Sequence, residues 1–287
     1  MKNLKLFIQL TRLDRPIGYM LLFWPCLWGL TIAYDFRNNF NTYFFYLVLF
    51  FAGSVLMRSA GCIVNDIADK NYDKKVLRTK NRPIASGKIS TKLGFFYVSV
   101  LCLLALLVLL QFNKLTIILA LASMPLAFAY PYMKRLTYWP QLFLGITFNY
   151  GLLLGWISIK QGLDLTPIIF YIGAIFWTLG YDTIYGYQDI KDDEIIGVKS
   201  TSIKFKNNPK KFLSLCYVIT FISITNIGVL MNFNNYYFLF LIIPAIHLFF
   251  QIKVLNIKDQ SICLKIFKSN NMLGLIIFTN LLIGKLI

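Results

Sequence analysis

The stretch YFFYLVLFFAGSVLMRSAGCIVNDIADKNYD, residues 43–73, decides the fold of this 287-residue chain. Residues 43–57 are apolar apart from Gly53 and Ser54, and the stretch then runs without a break into a group of Asn and Asp residues. A segment this long and apolar predicts a helix that crosses a bilayer, because only a helix satisfies its own backbone groups there. The acidic residues then lie at one end of that helix.

The rest of the chain repeats this apolar character. Hydrophobic residues make up 57% of the sequence and charged residues 14%, against about 25% charged in soluble domains. The first apolar stretch lacks a small-residue cleavage site, so it is predicted to be a permanent span. The pattern predicts one all-α membrane domain over 1–287 with nine transmembrane helices, at about 17–34, 43–64, 93–112, 115–133, 139–158, 166–187, 212–231, 236–252 and 271–287.

The net charge of +17 is distributed unevenly over the predicted loops. Of the 29 Lys and Arg residues, 24 fall on the side of the N-terminus, 4 on the other side, and Arg58 lies inside the second helix. This is the asymmetry that orients membrane proteins, so the basic charge indicates topology and not nucleic-acid binding. It predicts a cytoplasmic N-terminus, a C-terminus on the opposite side, and the lipid bilayer as a partner.

Eight of the twelve acidic residues fall in two short segments. Asp66, Asp69 and Asp73 have the spacing of one helix face, with Asn65 a helical turn before Asp69. They fall at the cytoplasmic end of the second helix. Carboxylates placed so close together repel one another and need a compensating cation.

A second acidic group follows the sixth helix on the same side. Asp182, Asp189 and Asp193 again share a predicted face, although residues 192–194 can also be the polar start of a loop. The segments NDIAD at 65–69 and QDIKD at 188–192 match each other, which suggests an internal repeat of helices 1–4 and 5–8. Two such helix ends facing each other would form an oxygen-only site, which suits Mg²⁺.

Two residue types that often carry metal or acid–base chemistry contribute little here. His247 is the only histidine and lies in an apolar helix. None of the five cysteines forms a C-x-x-C pair, and most lie in apolar runs, as packing residues do. The carboxylates are therefore the predicted metal ligands.

Cationic side chains follow both acidic groups. Arg78 and Arg82 come after the first, and Lys199 comes after the second. Guanidinium and ammonium groups beside carboxylates and Mg²⁺ are what a diphosphate requires. Arg58, about two turns inside the second helix, is costly in a membrane and should face a cavity. Its alternatives are a functional role and a structural pairing with a buried acid such as Asp182.

These residues resemble the UbiA superfamily of intramembrane prenyltransferases, and the resemblance runs nearly end to end. Within the superfamily it is strongest to the bacterial branch that prenylates 4-hydroxybenzoate. The paired aspartate motifs are the most specific part. The matching motifs are RLDRPIG at 12–18, WPxxW at 24–28, NDxxDxxxD at 65–73, RTxNRP at 78–83, SG at 86–87, YPxxKR at 130–135, DTxY at 182–185, DxxDD at 189–193, IGVKST at 196–201, CxKxFxxNN at 263–271 and Gly274.

The resemblance implies a nine-helix bundle in a bacterial cytoplasmic membrane, with the active site in a cavity at the cytoplasmic side. It implies transfer of a polyprenyl chain from its diphosphate to the 3-position of 4-hydroxybenzoate, for ubiquinone synthesis. The predicted catalytic residues are Asp66, Asp69, Asp189, Asp193 and Arg58, the four aspartates through Mg²⁺. The predicted substrate-binding residues are Asn65, Asp73, Arg78, Arg82, Tyr130, Lys134, Arg135, Asp182, Tyr185, Lys199 and Arg15.

Details of the chemistry follow from residue type. Arg58 is expected to orient the acceptor carboxylate, with Arg15 as the alternative partner. Tyr130, Tyr185 and Tyr187 are candidates to stabilise an allylic cation with their rings. Two other functions stay open: a related prenyltransferase with another acceptor, such as heme, dihydroxynaphthoate or homogentisate, and a cation transporter. The transporter is disfavoured because both acidic groups lie at one face.

Overall fold

The computed structural model describes residues 2–287, and every regular element in that range is helical. The prediction of an all-α membrane bundle is confirmed. The apolar helix Ile17–Ala33 has only 17 residues and is shorter than the eight candidate spans that the structure contains. The predicted count of nine transmembrane helices therefore stays a prediction. Eight helices are long and apolar enough to cross a membrane: Phe40–Ala68, Thr91–Leu109, Lys114–Leu136, Pro140–Lys160, Leu165–Gly186, Pro209–Leu230, Asn235–Val254 and Gln260–Leu286.

Several helices begin where a polar side chain accepts a hydrogen bond from the first turn. Ser90, Asn113, Asp164 and Asp259 cap their helices in this way. A 3₁₀ turn, Tyr130–Tyr132, interrupts the long helix Lys114–Leu136. In chain order the α-helices are α1 Lys2–Thr11, α2 Ile17–Ala33, α3 Phe40–Ala68, α4 Lys70–Asp73, α5 Thr91–Leu109, α6 Lys114–Ala129, α7 Met133–Leu136, α8 Pro140–Lys160, α9 Leu165–Gly186, α10 Ile190–Ile196, α11 Thr201–Lys204, α12 Pro209–Leu230, α13 Asn235–Phe240, α14 Ile242–Val254 and α15 Gln260–Leu286.

Helix α2 lies at the centre of the bundle. Most of its residues are buried, and it packs against α3, α8 and α15. A Cβ on Gly29 would overlap the backbone of Leu152, and a Cβ on Gly155 would overlap the carbonyl of Cys26. Small residues allow this close approach of helix backbones inside a membrane.

Two tryptophans tie three of the inner helices together. Trp28 stacks on Phe170, with ring centroids 5.5 Å apart, and lies 5.0 Å from the ring of Trp177. The Trp28 indole donates a hydrogen bond to the Gly274 carbonyl at 3.1 Å, and the Trp177 indole donates to Asn270 Oδ1 at 2.8 Å. Each buried indole N–H is therefore satisfied, which keeps these large side chains in place.

The last helix starts earlier than predicted. It begins at Gln260 and not near 271, because Asp259 caps its first turn and Cys263, Ile266 and Asn270 are buried against the bundle. Solvent-exposed polar residues alternate with these buried ones over the first three turns. The mean hydropathy of that segment is therefore too low for a simple apolar pattern to reveal it.

The predicted helix face of the first acidic group is interrupted. Helix α3 ends at Ala68, Asp69 adopts φ −96° and ψ 5°, and Asp73 lies in the separate helix α4. The Asp69 N–H still donates to the Asn65 carbonyl at 2.8 Å, and the Asp73 N–H donates to the Asp69 carbonyl at 2.8 Å. The chain therefore changes direction at Asp69 without losing its backbone hydrogen bonds.

The second acidic group is also divided between two helices, so the prediction of one shared face is wrong. Asp182 belongs to α9, which ends at Gly186, whereas Asp189 precedes α10 and Asp193 lies inside it. Helix α10 closes at Gly197, whose φ of 78° is the left-handed conformation that glycine adopts most readily. Asp182, Asp189 and Asp193 nevertheless line one cavity.

Candidate active site

A cavity of about 310 Å³ opens at the end of the bundle that carries both acidic groups. Polar residues from the first and the second group face each other across it. Of the predicted site residues, all but Asp66 and Arg135 line this cavity: Arg15, Arg58, Asn65, Asp69, Asp73, Arg78, Arg82, Tyr130, Lys134, Asp182, Tyr185, Asp189, Asp193 and Lys199.

Arg78 joins the two motifs directly. It follows α4, and its guanidinium grips both carboxylate oxygens of Asp189, with Nε 2.7 Å from Oδ1. A further N–H donates to the Tyr185 hydroxyl at 3.1 Å. Such two-point contacts fix geometry as well as charge. The structure therefore places the loop after the first motif against the second motif.

Asp69 lies next to Lys134 and Arg135, the two basic residues of α7. The Lys134 ammonium donates to Asp69 Oδ2, while an Arg135 N–H lies 3.7 Å from Asp69 Oδ1 and donates to the Ala68 carbonyl at 2.7 Å. Asp69 Oδ1 is buried and has no hydrogen-bond partner in the described part of the chain. Arg135 lies outside the cavity lining, so its contacts position the end of α3.

Asp66 and Asp73 differ in their position relative to the cavity. Asp66 was predicted as a metal ligand, but it is 1% exposed and does not line the cavity. Its Oδ1 accepts hydrogen bonds from Arg12 at 2.5 Å and from Arg82 at 3.2 Å. Asp73 lines the cavity, and its Oδ2 accepts a bond from the same Arg82 nitrogen at 2.9 Å. The geometry favours Asp73 over Asp66 as a ligand.

Sequence reasoning missed Arg12. It lines the cavity at the end of α1, in a left-handed conformation with φ 57°. Its position in the RLDRPIG segment was part of the resemblance, but a lone Arg in a basic N-terminus carries no spacing signal. Only the folded chain reveals that α1 brings it to Asp66, 54 residues away.

The deep end of the cavity contains Arg58. Its guanidinium lies over the Phe148 ring, 5.3 Å from the centroid, and its Nε is buried without a hydrogen-bond partner in the described residues. A Cβ on Gly18 would lie 2.8 Å from that Nε, so the absence of a side chain there leaves Arg58 its space. Asp182 lines the same cavity, and no ion pair within 4.0 Å joins it to Arg58 across residues 2–287.

The three tyrosines proposed for cation stabilisation are not equivalent. Tyr130 and Tyr185 line the cavity, and the Tyr185 ring packs on Phe267 with centroids 4.4 Å apart. Tyr187 is 1% exposed and does not line it. Its place immediately after α9 turns it into the core, so Tyr187 is not at the site.

The surroundings of Asp193 shift its pKa. Burial, followed by the negative charge of Asp189, raises the pKa of Asp193 to about 6, while Lys134 and Arg78 oppose this shift. A carboxylate with a raised pKa is charged only above that pH and gains from a nearby cation. Asp193 is therefore a carboxylate whose charged form a bound cation would favour.

The donor set fits a metal ion that is shared with a ligand. Among the described residues no three acidic, Cys or His side chains converge on one point. Asp69, Asp73, Asp189 and Asp193 instead line one cavity from two helix ends, and Asp69 keeps a bare buried oxygen. Oxygen donors in this number fit an ion such as Mg²⁺ that completes its coordination with ligand oxygens.

Two solved structures of UbiA homologs share this fold. A UbiA homolog from Aeropyrum pernix K1 has a TM-score of 0.76 at 21% identity, over 94% of this chain and 98% of that one. A UbiA homolog from Archaeoglobus fulgidus bound to GPP and Mg²⁺ has a TM-score of 0.70 at 15% identity, over 98% and 100%. At these identities the likeness establishes the fold.

Curated relatives are much more similar in sequence. The mitochondrial 4-hydroxybenzoate polyprenyltransferase of Bos taurus is 45% identical over 99% of this chain and 76% of the relative. The mitochondrial enzymes of the same name from Caenorhabditis elegans and Homo sapiens are 42% and 44% identical, over 99% of this chain and 80% and 76% of theirs.

These relatives correct one prediction. We expected a bacterial cytoplasmic membrane, but the relatives from cow, nematode and human are mitochondrial enzymes, which points away from that assignment. The apolar pattern fixes that the chain spans a membrane several times. It contains nothing that distinguishes one membrane from another, which is why the compartment was wrong.

The family is established over almost the whole chain. The profile of the UbiA prenyltransferase family matches residues 22–279, which include both aspartate motifs and the deep arginine. This match, the relatives above 40% identity and the cavity geometry all favour a prenyltransferase over a cation transporter. The chain belongs to the UbiA prenyltransferase family.

Proposed function

We propose that this protein transfers a polyprenyl chain from its diphosphate to the 3-position of 4-hydroxybenzoate, in ubiquinone synthesis. Family membership supports prenyl transfer, and the names of the relatives support this acceptor. Diphosphate is released as the second product.

The observation that carries the proposal is the link between the two motifs. Arg78 binds Asp189 and Tyr185 across the cavity, and Lys134 binds Asp69 on the other wall. Carboxylates and cations thus alternate around one opening. A diphosphate with a divalent cation contains both signs of charge, so it can accept these cations and offer its metal to these carboxylates.

We propose Mg²⁺ as the metal, and Asp69, Asp73, Asp189 and Asp193 as the residues that would hold it. Bound Mg²⁺ would neutralise charge that develops on the departing diphosphate. The bare oxygen of Asp69 and the oxygen-only donor set support this choice. The absence of a closed protein cage explains why the substrate would contribute ligands.

The protein residues around the diphosphate would promote its departure. Breaking the bond between C1 of the prenyl chain and the diphosphate oxygen leaves the electron pair on the diphosphate, where Arg78, Arg82 and Lys134 stabilise it. The allylic cation that remains would face the rings of Tyr130 and Tyr185. The apolar walls contributed by the bundle exclude water, which would otherwise capture the cation.

The acceptor would complete the reaction from the deep side. The ring carbon ortho to the phenol hydroxyl attacks C1, and loss of the proton from that carbon restores the aromatic ring. Arg58 would orient the acceptor carboxylate, because its Nε is buried without a partner and an arginine binds a carboxylate at two points.

The test is a competition between acceptors. Purified protein is given a prenyl diphosphate, Mg²⁺ and equal amounts of 4-hydroxybenzoate, homogentisate and 1,4-dihydroxy-2-naphthoate, and the products are identified by mass spectrometry. We expect 3-prenyl-4-hydroxybenzoate to dominate, and its formation to stop with EDTA and resume with Mg²⁺.

The Asp189→Asn variant serves as the matched negative control for background reaction. A dominant product from either other acceptor, with none from 4-hydroxybenzoate, would refute the acceptor while leaving prenyl transfer intact.

A further inference from the structure

Asp66 lies at the centre of a small ionic network behind the cavity wall. Arg12 approaches its Oδ1 from α1 at 2.5 Å, and Arg82 approaches the same oxygen from the loop after α4 at 3.2 Å. The Arg82 nitrogen also contacts Asp73 at 2.9 Å. The carboxylate side chain of Asp66 is 2% exposed, whereas both arginines line the cavity. Asp66 thus contacts two of the cations that line the cavity and is itself shielded from it.

Arg12 is held firmly enough to act at a fixed position. Helix α1 packs on α3, with Leu10 fully buried and the Phe7 ring 5.1 Å from the Tyr97 ring. The Leu13 N–H bonds back to the Ile8 carbonyl at 3.2 Å and closes the helix around Arg12. The side chain is 20% exposed, so its guanidinium has open N–H groups beyond the bond to Asp66.

A left-handed conformation at an arginine is costly, because a Cβ disfavours positive φ. Glycine is the common choice at this position after a helix. Backbone preference therefore does not explain an arginine at position 12, whereas a requirement for its guanidinium does.

We infer that Asp66 is a positioning residue and not a metal ligand, and that it holds Arg12 and Arg82 where their free N–H groups bind the diphosphate of the prenyl substrate. The inference rests on the proposed function for the identity of that substrate. It assigns a binding role to the N-terminal helix, whose last turn brings Arg12 to Asp66 of the first acidic motif.

The experiment measures binding without turnover. Isothermal titration calorimetry measures the binding of geranyl thiolodiphosphate, an analogue that resists cleavage, at excess Mg²⁺. A second titration measures the binding of Mg²⁺ at saturating analogue. We expect Arg12→Gly and Asp66→Asn to weaken analogue binding about tenfold, the scale of a lost charged hydrogen bond. Half-saturation by Mg²⁺ should stay within about twofold, because neither side chain would contact the metal.

Two further variants calibrate the result. Lys5→Gln removes an exposed cation from the same helix and should bind the analogue as the wild type does. Asp73→Asn removes a proposed metal ligand and should raise the Mg²⁺ half-saturation at least about tenfold. Glycine readily adopts the left-handed backbone at position 12. The Tm of Arg12→Gly should therefore be at most a few degrees below the Tm of Lys5→Gln.

Two outcomes would overturn the inference. A shift of Mg²⁺ half-saturation in Asp66→Asn as large as in Asp73→Asn would make Asp66 a ligand. Wild-type analogue binding by Arg12→Gly would remove Arg12 from the diphosphate site. Neither readout involves 4-hydroxybenzoate, so a wrong acceptor would leave both measurements valid.

Discussion

At the scale of single residues, the site is a set of carboxylates that the chain partly neutralises itself. Asp189 accepts hydrogen bonds from Arg78. Asp69 accepts one from Lys134, and its second oxygen has no hydrogen-bond partner among the described residues. These pairs hold the side chains in place without a ligand. Asp69 Oδ1 and Asp193, whose pKa is raised, would both gain from a divalent cation that arrives with a diphosphate.

Removing one of these carboxylates should abolish most of the activity. We expect Asp69→Asn and Asp189→Asn each to lower kcat/KM at least about 100-fold, the scale of losing one key electrostatic group. Product formation at saturating Mg²⁺ is the measurement. Asp164→Asn is the control, because Asn caps a helix as well as Asp does and residue 164 only caps α9. Turnover near that of the wild type in both site variants would remove the carboxylates from the mechanism.

Arg58 should affect the acceptor more than the prenyl donor. We expect Arg58→Lys to raise the KM for 4-hydroxybenzoate about tenfold or more, and that for prenyl diphosphate much less, because lysine lacks the two-point geometry. Steady-state kinetics with each substrate varied in turn provides the test. An increase confined to prenyl diphosphate would instead assign Arg58 to the diphosphate.

Gly18 offers a second route to the same question without touching the arginine. A Cβ there would lie 2.8 Å from Arg58 Nε, so Gly18→Ala must displace the guanidinium. We expect a KM for 4-hydroxybenzoate raised about threefold to tenfold with little change in Tm. Gly53→Ala is the control, since a Cβ at that helical glycine meets nothing within 4 Å. Equal KM values for both variants would contradict the assignment.

At the scale of elements, the sequence predicts the helices better than their breaks. Apolar length predicts α3 well, but nothing in Lys70 or Asn71 disfavours helix, so the change of direction at Asp69 is invisible. The same applies to α10, which the sequence shows only as a polar stretch. The position of Asp66 outside the cavity lining and of Asp73 within it depends on this break, so spacing alone does not reveal it. The predicted internal repeat of helices 1–4 and 5–8 stays a prediction.

The contact between α2 and α8 should be the most sensitive packing point. A Cβ at Gly155 would overlap the Cys26 carbonyl, which cannot move without shifting α2. We expect Gly155→Ala to lower the Tm in detergent by several degrees, in line with about 1–3 kcal/mol for overpacking. Gly61→Ala in α3 meets nothing within 4 Å and should be neutral or stabilising. A Gly155→Ala protein as stable as Gly61→Ala would refute the close contact.

At the scale of the whole molecule, the family and the membrane bundle could be predicted because they depend on long apolar runs and paired motifs. The cavity residues could largely be predicted because they lie within those motifs. Arg12 could not, since its partner is 54 residues away and depends on how α1 folds back onto α3. The compartment could not either, because bilayers present the same apolar solvent to the sequence.

Ligand binding should stabilise the entire bundle, because the site draws on α3, α9, α10 and the loops between them. We expect the thiolodiphosphate analogue with Mg²⁺ to raise the Tm by several degrees, increasingly with concentration. Mg²⁺ alone should shift it much less, because Arg78 and Lys134 already occupy two of the carboxylates. Thermal unfolding in detergent measures both, and an equal shift with Mg²⁺ alone would show that the metal binds without the diphosphate.

The shortness of α2 has a consequence for where chemistry can occur. Its 17 residues extend about 26 Å, less than the roughly 30 Å of a hydrocarbon layer. A helix in contact with lipid would meet this mismatch by thinning the bilayer, but α2 is surrounded by protein and has no such constraint. Ile17, Gly18 and Leu21, in its first turns, line the cavity. We expect the substrates to occupy the length that this short helix leaves free.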